Sequence, residues 1–351
     1  NAQPLIYNGD MQISQRTTST AGLSSDAAYV LDRWKYWGAS ASCTVTVSQD
    51  TDVPSGKGFS KSLKVDCTTA ASPAAGDWVP LIQKLEGYDC QLFKYGTSDA
   101  EVLTLSFWVK STKTGTYICN LYDGTNGFQV ASSYTVDTTN TWEQKVITVP
   151  AKTSGALANS NAAAFDVYFF MVAGSNYTSG TLATTWQSWA AANVAVGQVN
   201  AFDNTANNFL ITGVQLEVGS YTAATLPPFQ FESYGNNLLR CQRYYQNNYR
   251  DGLYPGDSTT DAGSWSGQLY STDFLTTFSP WTVRMRTNPT ITWYTRTGTA
   301  GSWYAGVYQV NEAVDTMTTS INTPTGWNGT VSNVAATTNI AYGYYSAQAE
   351  L

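Results

Sequence analysis

Val102-Leu-Thr-Leu-Ser-Phe-Trp-Val-Lys110 decides the fold class. Nine residues rich in β-branched and aromatic side chains, apolar almost throughout, are too short for a core helix and suit a central sandwich strand. Ser111-Thr-Lys-Thr-Gly115 reads as a turn, Thr116-Tyr-Ile-Cys-Asn-Leu-Tyr122 as the returning strand, and Asp123-Gly124 as a tight turn, since glycine tolerates positive φ. Outward from this hairpin, Cys43–Ser48 and Ser62–Cys67 alternate apolar with polar residues. Trp142–Val149 is a strand stopped by Pro150, and Phe165–Val172 and Asn208–Val218 complete the set. Short strands separated by turn signals, with no long helical period, predict an all-β protein built on a β-sandwich.

Beyond this block, residues 179–208 form a loop rich in Ala, Thr and Asn that carries Trp186 and Trp189. Leu226-Pro-Pro228 closes the first unit. Residues 236–245 are the one helix candidate, with Leu238, Cys241 and Tyr245 on one face. A single short helix is not stable alone, so that face needs a partner. After Asp251 the strand candidates are 268–270, 282–286, 290–295, 303–310 and 342–350. The expected organisation is a jelly-roll β-sandwich over 1–232, a short helix and linker over 233–250, and a small aromatic-rich β-domain over 251–351.

Composition narrows the function. Charged residues make up 12% of the 351, about half the usual quarter, while aromatics reach 14%. A net charge of −7 without a basic cluster disfavours nucleic acid, because phosphate binding needs grouped Lys and Arg. No apolar run approaches the ~20 residues of a membrane-spanning helix, and residues 1–10 show no basic-then-apolar leader pattern. The five cysteines, Cys43, Cys67, Cys90, Cys119 and Cys241, show no CxxC spacing and read as reduced, buried side chains. Histidine is absent, which excludes Ser-His-Asp and Cys-His hydrolysis and every His-ligated metal site. Carboxylate-pair glycoside hydrolysis needs no histidine, but nothing in the sequence sets any two of Asp77, Glu86, Asp89, Asp99 and Glu101 at the required spacing. No catalytic residue and no cofactor is assigned, and the expectation is a non-enzyme.

Leu103–Lys110, the strand at Trp142 and Ile211-Thr-Gly-Val-Gln-Leu-Glu217 resemble the strand signatures of carbohydrate-binding-module jelly rolls, over roughly residues 5–225. A second resemblance runs through Asn8-Gly-Asp-Met-Gln-Ile-Ser-Gln-Arg16, Leu31-Asp-Arg-Trp34, Gly213–Gly219, Pro228–Tyr234, Cys241-Gln-Arg-Tyr-Tyr245, Met285–Pro289 and Ala347–Leu351. This ordered set is similar to tail-fibre-like virion proteins of tailed bacteriophages, many of them marine. The resemblance implies a virion surface appendage, assembled in the host cytoplasm, homotrimeric and in contact with other virion proteins. It implies adhesion to host-surface polysaccharide without cleavage, the alternative being a capsid or tail decoration protein with a purely structural role. The short stretch before Asn8 favours a short appendage or decoration protein, or else a processed or subunit-type fibre tip.

Sugar recognition on such jelly rolls relies on aromatic rings, so the candidate ligand residues are Trp186 and Trp189, with Trp265, Tyr270, Trp293, Trp303 and Tyr304 as a second platform. Leu238, Cys241 and Tyr245 are the candidate oligomer contact. Asp32, Arg33 and Trp34 read as a structural group. Related jelly rolls hold a calcium at positions matching Asp10, Gln12 and Glu217. Gln12 replaces an acid and Thr212-Gly213 an acidic pair, so no metal is assigned.

Overall fold

A computed structural model describes residues 3–39, 41–259, 265–268, 273–275, 278–307, 311–332 and 340–351, and the strand counts below refer to these. The chain is all-β and divides into two compact units, one of residues 1–14, 18–234 and 351, the other of 15–17 and 235–350.

The first unit is the jelly-roll sandwich. Its strands are β1 (Ser19–Leu23), β2 (Ala27–Tyr29), β3 (Lys35–Trp37), β4 (Thr44–Asp50), β5 (Ser62–Thr69), β6 (Trp78–Glu86), β7 (Leu103–Ser111), β8 (Gly115–Asp123), β9 (Phe128–Val136), β10 (Glu143–Val149), β11 (Ala163–Ala173), β12 (Gln187–Ser188) and β13 (Asn208–Val218). One sheet runs β1-β4-β5-β13-β7-β10 and the other β12-β9-β8-β11-β6-β3-β2, each pairing antiparallel. Alternation sends Leu103, Leu105, Phe107 and Val109 of β7 inward, and all four are fully buried. Phe107 meets Phe169 of the opposite sheet with ring centroids 4.9 Å apart, and Trp34 lies 6.2 Å from the same Phe169. These rings fill the space between the two sheets.

The opening motif closes this core. Asn8 takes φ 51°, and its side-chain amide donates to the Ile13 and Asp32 carbonyls while accepting from the Ile13 N–H. The Trp34 indole donates to the Asn8 carbonyl at 2.9 Å. Asp32, Arg33 and Trp34 are all essentially without solvent exposure. Arg33 donates to the Lys84 carbonyl and lies over the Tyr7 ring. The group is therefore structural.

The sequence does not signal the short strands β1, β2, β3 and β12, nor the longer β6 and β9. Pro80 interrupts the β6 run, and that strand is buried on both faces, so it shows no alternation. In β9 the segment Ala131-Ser-Ser133 lacks the bulky side chains that signal a strand.

The second unit contains β14 (Tyr245–Asn247), β15 (Trp265–Gln268), β16 (Asp273–Leu275), β17 (Ser279–Pro280), β18 (Thr290–Tyr294), β19 (Ser302–Val307), β20 (Asn311–Thr323), β21 (Gly326–Ser332) and β22 (Ile340–Gln348). β22 is the hub, pairing with β14, β15, β18 and β19. Residues 15–17 also belong to this unit. Gln15 donates to the Tyr245 carbonyl at 3.0 Å, and Arg16 lies over the Tyr245 ring and pairs with Glu350 at 3.0 Å. The helix spans Tyr234–Gln242, and residues 235–250 belong to this unit rather than forming a separate linker. Residues 282–286, read as a strand, form bends, with the Met285 N–H held by the Pro324 carbonyl.

Tyr245 lies in β14, three residues past the helix, and is buried under Arg16. Cys241 is fully buried, so of the predicted oligomer face only the half-buried Leu238 retains exposure, while its neighbour Leu239 is 46% exposed. Cys241 and Tyr245 are buried within the chain, so they offer no exposed stripe to a second copy.

Candidate functional site

The outer face of the seven-stranded sheet carries the candidate site. Antiparallel register places residues of one face opposite one another across neighbouring strands. One outward row is Lys84, Asp166, Tyr122 and Gln129 on β6, β11, β8 and β9; a second is Lys35, Ile82, Tyr168 and Asn120 on β3, β6, β11 and β8.

The polar loop predicted over 179–208 covers part of this face. Ala183, Val194 and Ala195 pack with Trp78, Ile118, Tyr168 and Phe170 in a small second core. The loop is pinned by polar contacts. Gln129 donates to the Ala190 carbonyl at 3.0 Å, and the Ala195 N–H donates to the Tyr177 carbonyl at 2.9 Å. Trp189 packs at the loop's edge, 5.1 Å from Tyr122 and 6.0 Å from Trp78, and keeps 38% of its surface exposed. Trp37 is half-buried, 6.2 Å from Trp78, with the Lys35 ammonium 5.1 Å above its ring.

The rim rings Trp37, Tyr122 and Trp189 thus share a face with a polar cluster. The Asp166 carboxylate accepts from the Tyr168 hydroxyl at 3.0 Å and lies 3.5 Å from the Lys84 ammonium. Burial pushes the Asp166 carboxyl above the ordinary aspartate value, and the attraction of Lys84, the Tyr168 hydrogen bond and Lys35 only partly oppose this. Its Oδ1 is buried without a hydrogen-bond partner. Partly exposed aromatic rings beside the Lys84 ammonium, itself oriented by the buried Asp166–Tyr168 pair, suit a pyranose, whose C–H face stacks on rings while its hydroxyls seek hydrogen bonds.

Trp186 and Trp189 do not form one platform. They flank the two-residue strand β12, and Trp186 turns to the other face, 5.7 Å from Tyr95 and 6.3 Å from Phe165, with its indole donating to the Pro150 carbonyl at 2.7 Å.

The second platform is a core. Trp293 and Trp303 are buried with Trp281 and Trp327, with the half-buried Trp265 packed against them. Trp293 lies 5.2 Å from Trp303 and 4.8 Å from Trp327, and Trp265 lies 5.0 Å from Trp327. Tyr304 is 9% exposed, and Tyr270 lies outside the described residues. A small unit fills its interior with large rings, which leaves Trp293 and Trp303 no face for a sugar.

Three of the five carboxylates named for hydrolysis are engaged elsewhere. Asp77 accepts from the Ser42 N–H and hydroxyl, Asp89 accepts from the Tyr7 hydroxyl, and Glu101 pairs with Lys94. Among the described residues no three Asp, Glu or Cys side chains cluster as a metal site. Gln12 donates to the Ser60 hydroxyl instead. The five cysteines are buried, and burial raises the Cys43 thiol to about 11. Trp37, Tyr122, Lys84 and Asp166 escaped the sequence reading, since only sheet register brings four distant strands to one face.

No family model matches the chain, and no curated protein matches it. Solved structures similar to it include the enzymatically active domain of bacteriophage CBA120 tailspike protein 4, 15% identical, with 61% of this chain aligned to 21% of that one and a TM-score of 0.32. The chain therefore spans about a fifth of that tailspike chain. A CBM4 structure is 12% identical over 61% of this chain and 99% of its own, with a TM-score of 0.31. TmCBM61, solved with β-1,4-galactotriose, is 9% identical over 62% and 99%, with a TM-score of 0.26. Each likeness is too distant to transfer a residue role.

Proposed function

We propose that the protein is a non-catalytic, glycan-binding appendage of a phage virion, a tail fibre or spike that holds host-surface polysaccharide on the outer face of the seven-stranded sheet. The observation that carries this reading is the rim of Trp37, Tyr122 and Trp189 on the face that bears Lys84, Asp166 and Tyr168. Virion location is supported by the ordered motifs from Asn8 to Leu351. Several of these build the structure: Asn8 and Trp34 lock together, and Arg16 pairs with Glu350. In this reading the chain works as a homotrimer alongside other virion proteins, through a surface other than the buried Cys241 and Tyr245.

A glycan array probed with the purified protein, together with adsorption to host cells, tests this. Retention of host polysaccharide without release of reducing ends is the expected outcome. Absence of adhesion on every permissive host, with the protein instead coating the capsid in virion density, would leave decoration as its role.

A further inference from the structure

We propose a second saccharide site, on the outer face of the six-stranded sheet, selective for a sugar that carries an anionic group. A groove of about 290 Å³ opens there, at the lower end of ligand-pocket sizes, so it suits one sugar unit rather than a long chain. Its floor is the half-buried Trp108, with Gln144 opposite it on the neighbouring strand. Its walls are Gln215 and the rings of Phe59 and Phe231, with Phe231 48% exposed. The segment after β13 forms one side and is held in place: the Tyr221 N–H donates to the Thr104 hydroxyl at 3.0 Å and Gln215 donates to the Pro227 carbonyl at 3.0 Å. Gly213, at φ +61°, keeps the space open, because a Cβ there would fall 2.5 Å from Phe59 Cζ. The groove is therefore preformed.

Its charge selects the ligand. Lys57 is the one ionisable residue lining the groove, in a chain of net charge −7. Its ammonium lies 5.4 Å from the Trp108 ring centroid, and it forms no ion pair among the described residues. Nearby Lys110 is already neutralised by Asp52 at 2.5 Å. A half-buried aromatic floor, an exposed amide and an unneutralised cation match a uronate or sulfated sugar: the ring stacks, hydroxyls meet Gln144, and the anion meets Lys57. This assignment does not depend on the site around Trp189.

Titration calorimetry with an oligogalacturonate hexamer, a sulfated galactan hexamer and a neutral galactan hexamer tests it. The expected result is binding of at least one anionic hexamer, with the two anionic arms separating carboxylate from sulfate. That binding should weaken tenfold or more in Lys57→Ala and at high salt, and recover in Lys57→Arg. Lys57 is exposed, so its replacement leaves the fold intact. Equal binding of the neutral hexamer, unchanged binding in Lys57→Ala, or no binding of either anionic hexamer would overturn the assignment. Binding lost in Trp189→Ala but not in Lys57→Ala would leave the first site standing and remove this one.

Discussion

Trp186 and Trp189, three residues apart, face opposite sides of the same sheet: one packs on Phe165 and Tyr95, the other on Tyr122 and Trp78. Phe165 and Tyr168 are likewise three apart on β11 and point to opposite faces, so the split follows from strand alternation. Trp189 and the buried Trp78 that it packs on should respond differently to replacement. Trp189→Ala is expected to weaken glycan binding tenfold or more with little change in unfolding midpoint. Trp78→Ala, which empties a buried position among five rings, should cost about 3–5 kcal/mol. Calorimetric unfolding beside glycan titration separates the two effects, and full glycan affinity in Trp189→Ala contradicts the assigned site.

A buried ion pair fixes the turn after β8. Lys152 and Asp123 lie 3.0 Å apart with side-chain exposures of 2% and 0%. Asp123 also accepts from the Thr125 and Asn126 N–H groups, and Lys152 donates to the Gly155 carbonyl. Lys152→Met removes one charge and strands the other, so a loss of about 3–5 kcal/mol is expected by urea unfolding. The double replacement Lys152→Met with Asp123→Asn should lose less than Lys152→Met alone. A double variant that is worse than the single one refutes this account.

Two glycines make contact where no side chain fits, but their surroundings differ. A Cβ on Gly9 would lie 2.2 Å from the Val214 carbonyl oxygen, a backbone atom with no room to yield. A Cβ on Gly213 would meet the Phe59 ring, which can shift, although its φ of +61° still penalises a side chain. Gly213→Ala is expected to cost about 1–2 kcal/mol and Gly9→Ala more. Thermal unfolding of both variants checks the order.

The pH dependence at Asp166 has a definite sign. Burial raises its folded value above the unfolded one, against the pull of Lys84 and the Tyr168 hydroxyl. The folded protein thus holds this proton more tightly than the unfolded chain. The ionised carboxyl costs stability above its folded value, and that cost disappears as pH falls toward the ordinary aspartate value of about 3.9. Asp166→Asn lacks the titration. Its stability relative to wild type should be most favourable near pH 7 and decline toward pH 4. Asp52 and Glu143 titrate in the opposite sense. Burial raises both, but hydrogen bonds from Lys110 and Trp142 to Asp52, and from Lys145 and backbone N–H groups to Glu143, hold them lower. The difference between variant and wild type, measured by urea unfolding at each pH, isolates Asp166, and a difference that grows on acidification refutes the sign.

The sequence by itself determined the strand-rich class, because alternation and turn residues act over a few positions. The runs at 103–110, 116–122 and 208–218 fall in β7, β8 and β13. It also determined that imidazole chemistry is excluded, and it marked Asp32, Arg33 and Trp34 as structural. Only the tertiary structure decided which aromatic rings are accessible. Trp189 and Trp303 are equally aromatic in sequence, yet one keeps 38% of its surface and the other none. Exposure depends on what packs above a ring, and that comes from register across strands far apart in the chain: Lys84, Tyr122 and Asp166 meet on one face through pairings that span tens of residues. The groove at Trp108 likewise exists because a bulge at Gly213 and the segment after β13 fold back over the sheet, an arrangement with no local periodic signature.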